Sequence, residues 1–115
     1  MNSNISLSIV VPIYNEDESL RFLVNQLLDV LRPMNESFEL VLVNDGSSDN
    51  SEEVMRKLSL EVPELVGVLL RKNYGQTAAM AAGFDISSGQ IVVTLDGDLQ
   101  NDPADIPLLV NKIRD

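Results

Sequence analysis

Cysteine and histidine are both missing from this chain of 115 residues. Without cysteine, the protein has no disulfide, no zinc–thiolate site and no thiol nucleophile. Without histidine, it lacks the most common general base and the most common transition-metal ligand. Any chemistry must therefore use carboxylates, hydroxyls, amides, lysine or arginine.

Basic residues are scarce: 8 lysines and arginines stand against 18 aspartates and glutamates, which gives a formal net charge of -10. Proteins bind nucleic acids chiefly through clustered lysine and arginine side chains on the phosphates. The composition thus predicts no nucleic-acid partner. It is compatible with a nucleotide that is held through a metal ion.

Long hydrophobic runs are lacking as well. No apolar stretch approaches the roughly 20 residues of a membrane span, and no signal peptide is visible, so we expect the chain itself to be soluble. Hydrophobic residues make up 44% of the chain and aromatic residues only 4%. A single domain with an aliphatic core is the expected result.

Apolar runs rich in β-branched residues alternate with helix-like segments along the chain. The runs at residues 7–14, 38–45, 65–71 and 90–96 predict four strands, and the first two are typical of strands buried in a parallel sheet. An amphipathic or small-residue segment follows each run, which indicates a helix. The βαβαβαβα order predicts an α/β domain, a three-layer sandwich with helices around a mostly parallel sheet.

Charge and proline positions predict where two helices begin and end. Glu16, Asp17 and Glu18 are expected at the start of the first helix, where acidic side chains suit the positive end of the helix dipole. Pro33 is expected to end that helix. Pro103 is expected in the first turn of the last helix, a position that proline favours.

Polar side chains follow all four predicted strands. The carboxyl ends of parallel strands meet at one edge of a sheet, and ligands of such domains bind outside that edge. We therefore predict a binding site built from four loops. The residues concerned are Tyr14, Asn15 and Glu16 after the first strand; Asn44, Asp45, Gly46 and Ser47 after the second; Arg71, Lys72 and Asn73 after the third; and Asp96, Gly97 and Asp98 after the fourth.

Asp96 and Asp98 flank Gly97 at the end of the fourth strand. A straight strand or a sharp turn at the glycine brings the two carboxylates close together, and Gln100 adds an amide oxygen within reach. Mg²⁺ and Mn²⁺ accept such oxygen ligands together with phosphate oxygens. The alternative is that one aspartate caps the following helix while the others are solvated.

The second and third loops also carry possible ligand residues. Asp45 precedes a turn at Gly46, and its carboxylate can accept a hydrogen bond from a nucleobase N–H group or a ribose hydroxyl. The simpler interpretation of this loop is a turn followed by a serine or aspartate helix cap. Lys72 and Asn73 can face a phosphate, and Gly75 opens a helix whose first turn has free N–H groups.

Several other classes of protein do not fit the sequence. No P-loop, no dinucleotide-binding glycine fingerprint and no nucleophile elbow is present. The stretch IVVTLDGD resembles the strand of aspartate-nucleophile phosphatases, but it forms the fourth strand and not the first. A receiver-like module would need its phosphoacceptor after the third strand, which ends in Arg71 and Lys72.

Four motifs together resemble the inverting family 2 glycosyltransferases of the GT-A fold, most closely the polyprenyl-phosphate (dolichol-phosphate) sugar synthases. The motifs are SIVVPIYNEDESL, ELVLVNDGSSDNS and the continuous stretch LLRKNYGQTAAMAAGFDISSGQIVVTLDGDLQNDP, which contains two of them. They extend from Ser8 to Pro103. The resemblance implies transfer of a sugar, with inversion, from a UDP- or GDP-sugar to a lipid phosphate, aided by Mg²⁺ or Mn²⁺.

The resemblance also implies a role for individual residues. A metal held beside the donor diphosphate would stabilise the negative charge that develops on the leaving group. The implied assignments are Pro12, Tyr14 and Glu16 in the nucleotide pocket; Asp45 at the base or ribose; Lys72 and Asn73 near the nucleotide; Asp96 and Gly97 near the ribose and sugar; Asp98 and Gln100 on the metal; and Asp96 and Asp98 as the catalytic pair.

The chain departs from the family by stopping at Asp115. Family members carry further strands, an acidic general base, an arginine-bearing loop and often membrane helices, which place them at the cytoplasmic face of a membrane. We expect residues 1–115 to be a donor-binding part with little or no transferase activity; a folded part that binds no ligand is the alternative. The fourth strand would then be an exposed edge, which favours homo-oligomers.

Overall fold

Four parallel strands and four α-helices alternate in the part of the chain that the structure describes, as predicted. A computed structural model describes residues 4–95 and 102–114. The elements are β1 (Leu7–Ile13), α1 (Leu20–Leu31), a 3₁₀ turn (Arg32–Met34), β2 (Phe38–Asn44), α2 (Ser51–Glu61), β3 (Leu65–Leu69), α3 (Gln76–Ile86), β4 (Ile91–Thr94), a second 3₁₀ turn (Pro103–Asp105) and α4 (Ile106–Arg114).

The sheet has the strand order β3-β2-β1-β4, and every pairing is parallel. All residues of the central strands β1 and β2 are buried, whereas β3 and β4 are partly exposed. Burial on both faces agrees with the long, mostly apolar sequences of the two central strands. Within the described residues β4 pairs only with β1, so it lies at an edge of the sheet, as predicted.

The larger core fills the face of the sheet that α1, α2 and α4 cover. Leu7, Ile9, Val11 and Ile13 of β1 point into this core, because alternate residues of a strand face the same side. Helix α1 contributes the apolar residues that recur every three or four positions: Leu20, Leu23, Val24, Leu27, Leu28 and Leu31. Burying each such leucine stabilises the fold by about 1.5–3 kcal/mol.

Helix α3 packs on the opposite face, so the domain has the three predicted layers. Val10, Val41 and Val43 of the sheet meet Ala79 of this helix. A Cβ atom added to Gly83 would come within 2.3 Å of Val10 Cγ1. The alanine- and glycine-rich sequence of α3 therefore serves close packing of helix on sheet.

The helix ends differ in detail from the predictions. Ser19 is the N-cap residue of α1, and the first turn of that helix contains no acidic side chain, so Glu16, Asp17 and Glu18 precede it. Pro33 follows the end of α1 and lies in a 3₁₀ turn.

Pro103 begins a 3₁₀ turn that precedes α4, and the carboxylate of Asp102 accepts a hydrogen bond from the N–H group of Ala104 at 2.9 Å. None of the described helices is long and apolar enough to cross a membrane.

A buried polar group holds the amino-terminal edge of the sheet. Glu39 is only 5% exposed, and its Oε2 accepts hydrogen bonds from Ser8 Oγ at 2.6 Å and from the N–H group of Ser88 at 2.7 Å. The N–H group of Gly89 donates to Ser8 Oγ at 2.8 Å. These bonds fix the connection between α3 and β4 at the edge opposite the predicted site.

Candidate functional site

Three of the four predicted loops meet at the carboxyl edge of the sheet. We call them loop 1 (residues 14–19), loop 2 (residues 45–50) and loop 3 (residues 70–75). Side-chain and backbone hydrogen bonds join loop 1 to loop 2 and loop 2 to loop 3. The residues predicted from the fourth loop, namely Asp96, Gly97, Asp98 and Gln100, lie outside the described residues.

Loop 1 is bound to loop 2 around Asn15. The N–H group of Asn15 donates to Ser47 Oγ at 3.0 Å, and Asn15 Oδ1 accepts from the N–H group of Ser48 at 2.8 Å. One residue on, the N–H group of Glu16 donates to Ser51 Oγ at 2.9 Å. Both loops therefore hold a fixed position relative to each other.

Two aspartates make a reciprocal connection between the same loops. The carboxylate of Asp49 accepts from the N–H group of Asp17 at 3.2 Å, and the carboxylate of Asp17 accepts from the N–H group of Asn50 at 3.2 Å. Asp49 also accepts from the N–H group of Ser51 at 2.9 Å. Burial opposes the charged form of Asp49, but its hydrogen bonds from Ser51 and Asp17 outweigh this effect and lower the pKa of its carboxyl group.

Asp45 is the residue that joins loop 2 to loop 3. It is 3% exposed. Its Oδ1 accepts from the N–H group of Tyr74 at 2.8 Å, and its Oδ2 accepts from the N–H group of Gly75 and from Asn73 Nδ2, both at 3.0 Å. The negative charge lies at the N-terminus of α3, where the helix dipole stabilises an anion. Asp45 thus organises loop 3, a role that its position in the sequence did not reveal.

Gly46 brings the backbones of loops 2 and 3 into contact. Its φ angle is 65°, in the left-handed region. A Cβ atom at this position would lie 2.2 Å from the carbonyl carbon of Lys72 and 2.3 Å from the backbone nitrogen of Asn73. Only glycine satisfies both requirements without displacing loop 3.

An exposed tyrosine, Tyr74, lies in the loop cluster and was not predicted as a site residue. Tyr74 is 55% exposed, and Lys72 Nζ lies 5.3 Å from the centre of its ring, within the range of a cation–π contact. Tyr14 of loop 1 is also exposed, at 48%. The available signal for Tyr74 in the sequence was an aromatic residue two positions after Lys72, in the loop that follows the third strand.

The other predicted nucleotide-binding residues differ in accessibility. Pro12 is buried inside β1 opposite Val43. Glu16 is partly exposed, and its carboxylate accepts from Ser19 Oγ at 3.0 Å. Asn73 is exposed although its amide binds Asp45. The structure therefore places Glu16 and Asn73 within the loop cluster, and Pro12 beneath it.

The predicted metal site involves residues that the structure does not describe. Residues 4–95 and 102–114 contain no group of three or more acidic side chains that could hold a metal ion. The predicted ligands Asp98 and Gln100 fall between these ranges. A cavity of about 570 Å³ adjoins the end of β4, with Thr94, Leu95, Asp102 and Asp105 among the residues that line it.

Comparison with known families identifies the domain. The profile of the family described as "Glycosyl transferase family 2" matches residues 8–115. The chain belongs to glycosyl transferase family 2. This result confirms the resemblance that the strand-end motifs indicated.

Two transferases are similar in sequence to this chain over nearly its whole length. The undecaprenyl-phosphate 4-deoxy-4-formamido-L-arabinose transferase of Aeromonas hydrophila is 46% identical over 111 residues, which cover 95% of this chain and 34% of that protein. The transferase of the same name from Salmonella choleraesuis is 46% identical over 107 residues, 92% of this chain and 33% of that protein. The chain thus spans about a third of the length of these relatives.

Solved glycosyltransferase structures share the fold. S. aureus TarS 1-349 in complex with UDP superposes with a TM-score of 0.78 at 24% identity, over 96% of this chain and 32% of the TarS 1-349 chain. The mannosyltransferase PcManGT from Pyrobaculum calidifontis, in complex with GDP-Man and Mn²⁺, superposes with a TM-score of 0.78 at 23% identity, over 97% and 32% of the two chains. The predicted GT-A fold is therefore confirmed.

Proposed function

We propose that this chain, residues 1–115, is the donor-binding part of a glycosyltransferase that moves a sugar from a UDP- or GDP-sugar to a polyprenyl phosphate, with inversion. The observation that carries the proposal is the joining of loops 1, 2 and 3 at the carboxyl edge of the sheet, around the buried Asp45. This edge is where parallel α/β domains bind ligands. Both relatives are named as undecaprenyl-phosphate transferases, which supports a polyprenyl phosphate as the acceptor.

The donor nucleotide is proposed to lie across the three loops. Exposed Tyr14 and Tyr74 offer flat apolar surfaces to a base, and Lys72 beside Tyr74 offers a positive charge to the diphosphate. Asp45 Oδ1 accepts one hydrogen bond in the described structure and, as a carboxylate oxygen, has capacity for another from the base or ribose. Similar folds bind UDP in TarS and GDP-Man in PcManGT, which supports either nucleotide as the donor.

A divalent cation, Mg²⁺ or Mn²⁺, is the proposed cofactor. Asp98 and Gln100 supply the carboxylate and amide oxygens that these hard ions prefer, and Asp96 and Gly97 are proposed to lie near the ribose and sugar. The bound ion would act as a Lewis acid for the leaving diphosphate. The Mn²⁺ in the PcManGT complex supports this choice of cofactor class.

Acceptor binding and the general base are proposed to require parts of a longer protein, because the relatives are about three times the length of this chain. The whole enzyme would work at the cytoplasmic face of a membrane, where a lipid phosphate is accessible. On its own the chain would show little or no transfer. The partly exposed edge strand β4 favours homo-oligomers of the isolated chain, which light scattering at increasing concentration would test.

Calorimetric titration of UDP and GDP, with and without Mn²⁺, tests the proposed donor site. We expect one of the nucleotides to bind, and its affinity to fall more than about tenfold without Mn²⁺ or in the Asp98→Ala variant. Asp85→Ala removes an acidic side chain from the exposed end of α3 and serves as the matched control, which should bind like wild type. If a folded chain binds neither nucleotide, the domain is not a donor-binding part.

A further inference from the structure

Asn15 combines an unusual backbone conformation with a central position in the loop cluster. Its φ angle is 53°, and among the described residues only Asn35 shares a positive φ without being glycine. This left-handed conformation is costly for most residues and least so for asparagine and aspartate. Asn15 lies between Tyr14 and Glu16, which are both predicted to line the nucleotide pocket, so the turn it makes sets the course of the chain between them.

The side-chain oxygen of Asn15 and its backbone N–H group both bind loop 2. Its Oδ1 accepts from the N–H group of Ser48 at 2.8 Å and from Ser48 Oγ at 3.3 Å, while its own N–H group donates to Ser47 Oγ at 3.0 Å. Just before it, the carbonyl oxygen of Ile13 accepts from the N–H group of Asp45 at 2.8 Å. Asn15 therefore connects the predicted ligands of loop 1 to the backbone that carries Asp45.

We propose that Asn15 is a positioning residue for the donor site: its left-handed backbone and its amide bridge to Ser48 hold Tyr14 and Glu16 in register with Asp45. The amide oxygen of Asn15 binds loop 2, so the proposed role acts through Tyr14 and Glu16. This inference rests on the proposed donor-binding function. It adds to that function a residue that acts through its neighbours.

Asparagine at position 35 provides the matched control. Asn35 has nearly the same φ angle, 59°, and follows the 3₁₀ turn at the amino-terminal edge of the sheet, away from the three loops. Asn15→Ala and Asn35→Ala impose the same kind of backbone strain, so both should lower the urea midpoint of unfolding. Only Asn15→Ala should also weaken nucleotide binding, by about tenfold, which is a typical effect of a residue that modulates a site without contacting its ligand.

A conservative variant separates positioning from loss of stability. Aspartate tolerates the left-handed region and keeps an acceptor for Ser48, so Asn15→Asp should bind the nucleotide within about threefold of wild type. Hydrogen exchange measured without nucleotide should show faster exchange of the Ser48 amide in Asn15→Ala, and unchanged exchange in Asn15→Asp and Asn35→Ala.

The outcomes distinguish this inference from the proposed function. If wild type binds UDP or GDP, and Asn15→Ala binds it as well as Asn35→Ala does, Asn15 has no positioning role. Unchanged exchange at Ser48 in Asn15→Ala would likewise remove the bridge on which the role depends. If wild type binds neither nucleotide, the proposed function fails first, and the role of Asn15 in donor binding fails with it.

Discussion

Asp45→Asn is the most informative single substitution in the loop cluster. The change keeps the size of the side chain but replaces one oxygen with an NH₂ group. In the wild type, both carboxylate oxygens face donors: the N–H group of Tyr74 on one side, and the N–H group of Gly75 with Asn73 Nδ2 on the other. Whichever way the new amide turns, its NH₂ group meets at least one donor at 2.8–3.0 Å.

The cost follows from the burial of this side chain, which is 3% exposed. Leaving a buried donor unsatisfied costs about 1–3 kcal/mol, and the remaining hydrogen bonds lose the strengthening that a charged acceptor gives them. We expect Asp45→Asn to lower the free energy of unfolding by about 2 kcal/mol. For a domain of this size that corresponds to a fall in Tm of about 6–10 °C.

Urea unfolding followed by circular dichroism measures this loss, and hydrogen exchange locates it. The amides of Tyr74 and Gly75 should exchange faster in Asp45→Asn. The exchange rates of the amides in the central strands should change only as far as the loss of global stability requires. Asp85→Asn, on an exposed part of α3, is the control and should match wild type. An unchanged urea midpoint together with unchanged exchange at Tyr74 and Gly75 would refute the role of Asp45 in organising loop 3.

Three further predictions concern packing and pH. Gly46→Ala should cost at least about 2 kcal/mol in urea unfolding, because alanine is strained at a φ of 65° and meets the backbone of loop 3; wild-type stability would contradict that contact. Gly83→Ala should lower stability by about 1 kcal/mol, since crowding against Val10 outweighs the better helix propensity of alanine, and a gain in Tm would show that the sheet yields. The lowered pKa of Asp49 means that its stabilising effect is present above the ordinary aspartate pKa of about 4 and is lost as pH falls through the lowered value. Asp49→Asn should therefore be less stable than wild type at pH 7, with a difference that shrinks toward pH 3 in urea titrations; a difference independent of pH would be inconsistent with this.

The strands and the edge that carries the site could be predicted from the sequence. β1 and β2 are buried on both faces, so their residues are mostly apolar and stand out in the sequence. Placing Asp45 and Lys72 at one edge required only that parallel strands end together. The close packing of α3 likewise followed from its small residues, and the absence of room for a Cβ atom at Gly83 confirms it.

The contacts within the site could not be predicted, because they join residues far apart in sequence. Asp45 binds groups 28 to 30 positions away, and no local pattern specifies such a pairing. The same cause explains the error at the start of α1: the carboxylate of Asp17 accepts from loop 2 and not from the first turn of the helix. Tertiary hydrogen bonds at this edge outweighed the preference of acidic residues for a helix N-terminus.

Paramagnetic broadening by Mn²⁺ tests the central claim most directly, since it reports where a metal–nucleotide complex lies on the domain. In spectra of the ¹⁵N-labelled chain, adding UDP or GDP in the presence of Mn²⁺ should broaden the amide signals of Tyr14, Ser47 and Tyr74 at the carboxyl edge. The signals of Ser8 and Gly89 at the opposite edge should stay sharp. Loop signals that remain sharp with both nucleotides, or broadening that is the same with and without nucleotide, would contradict donor binding at this edge.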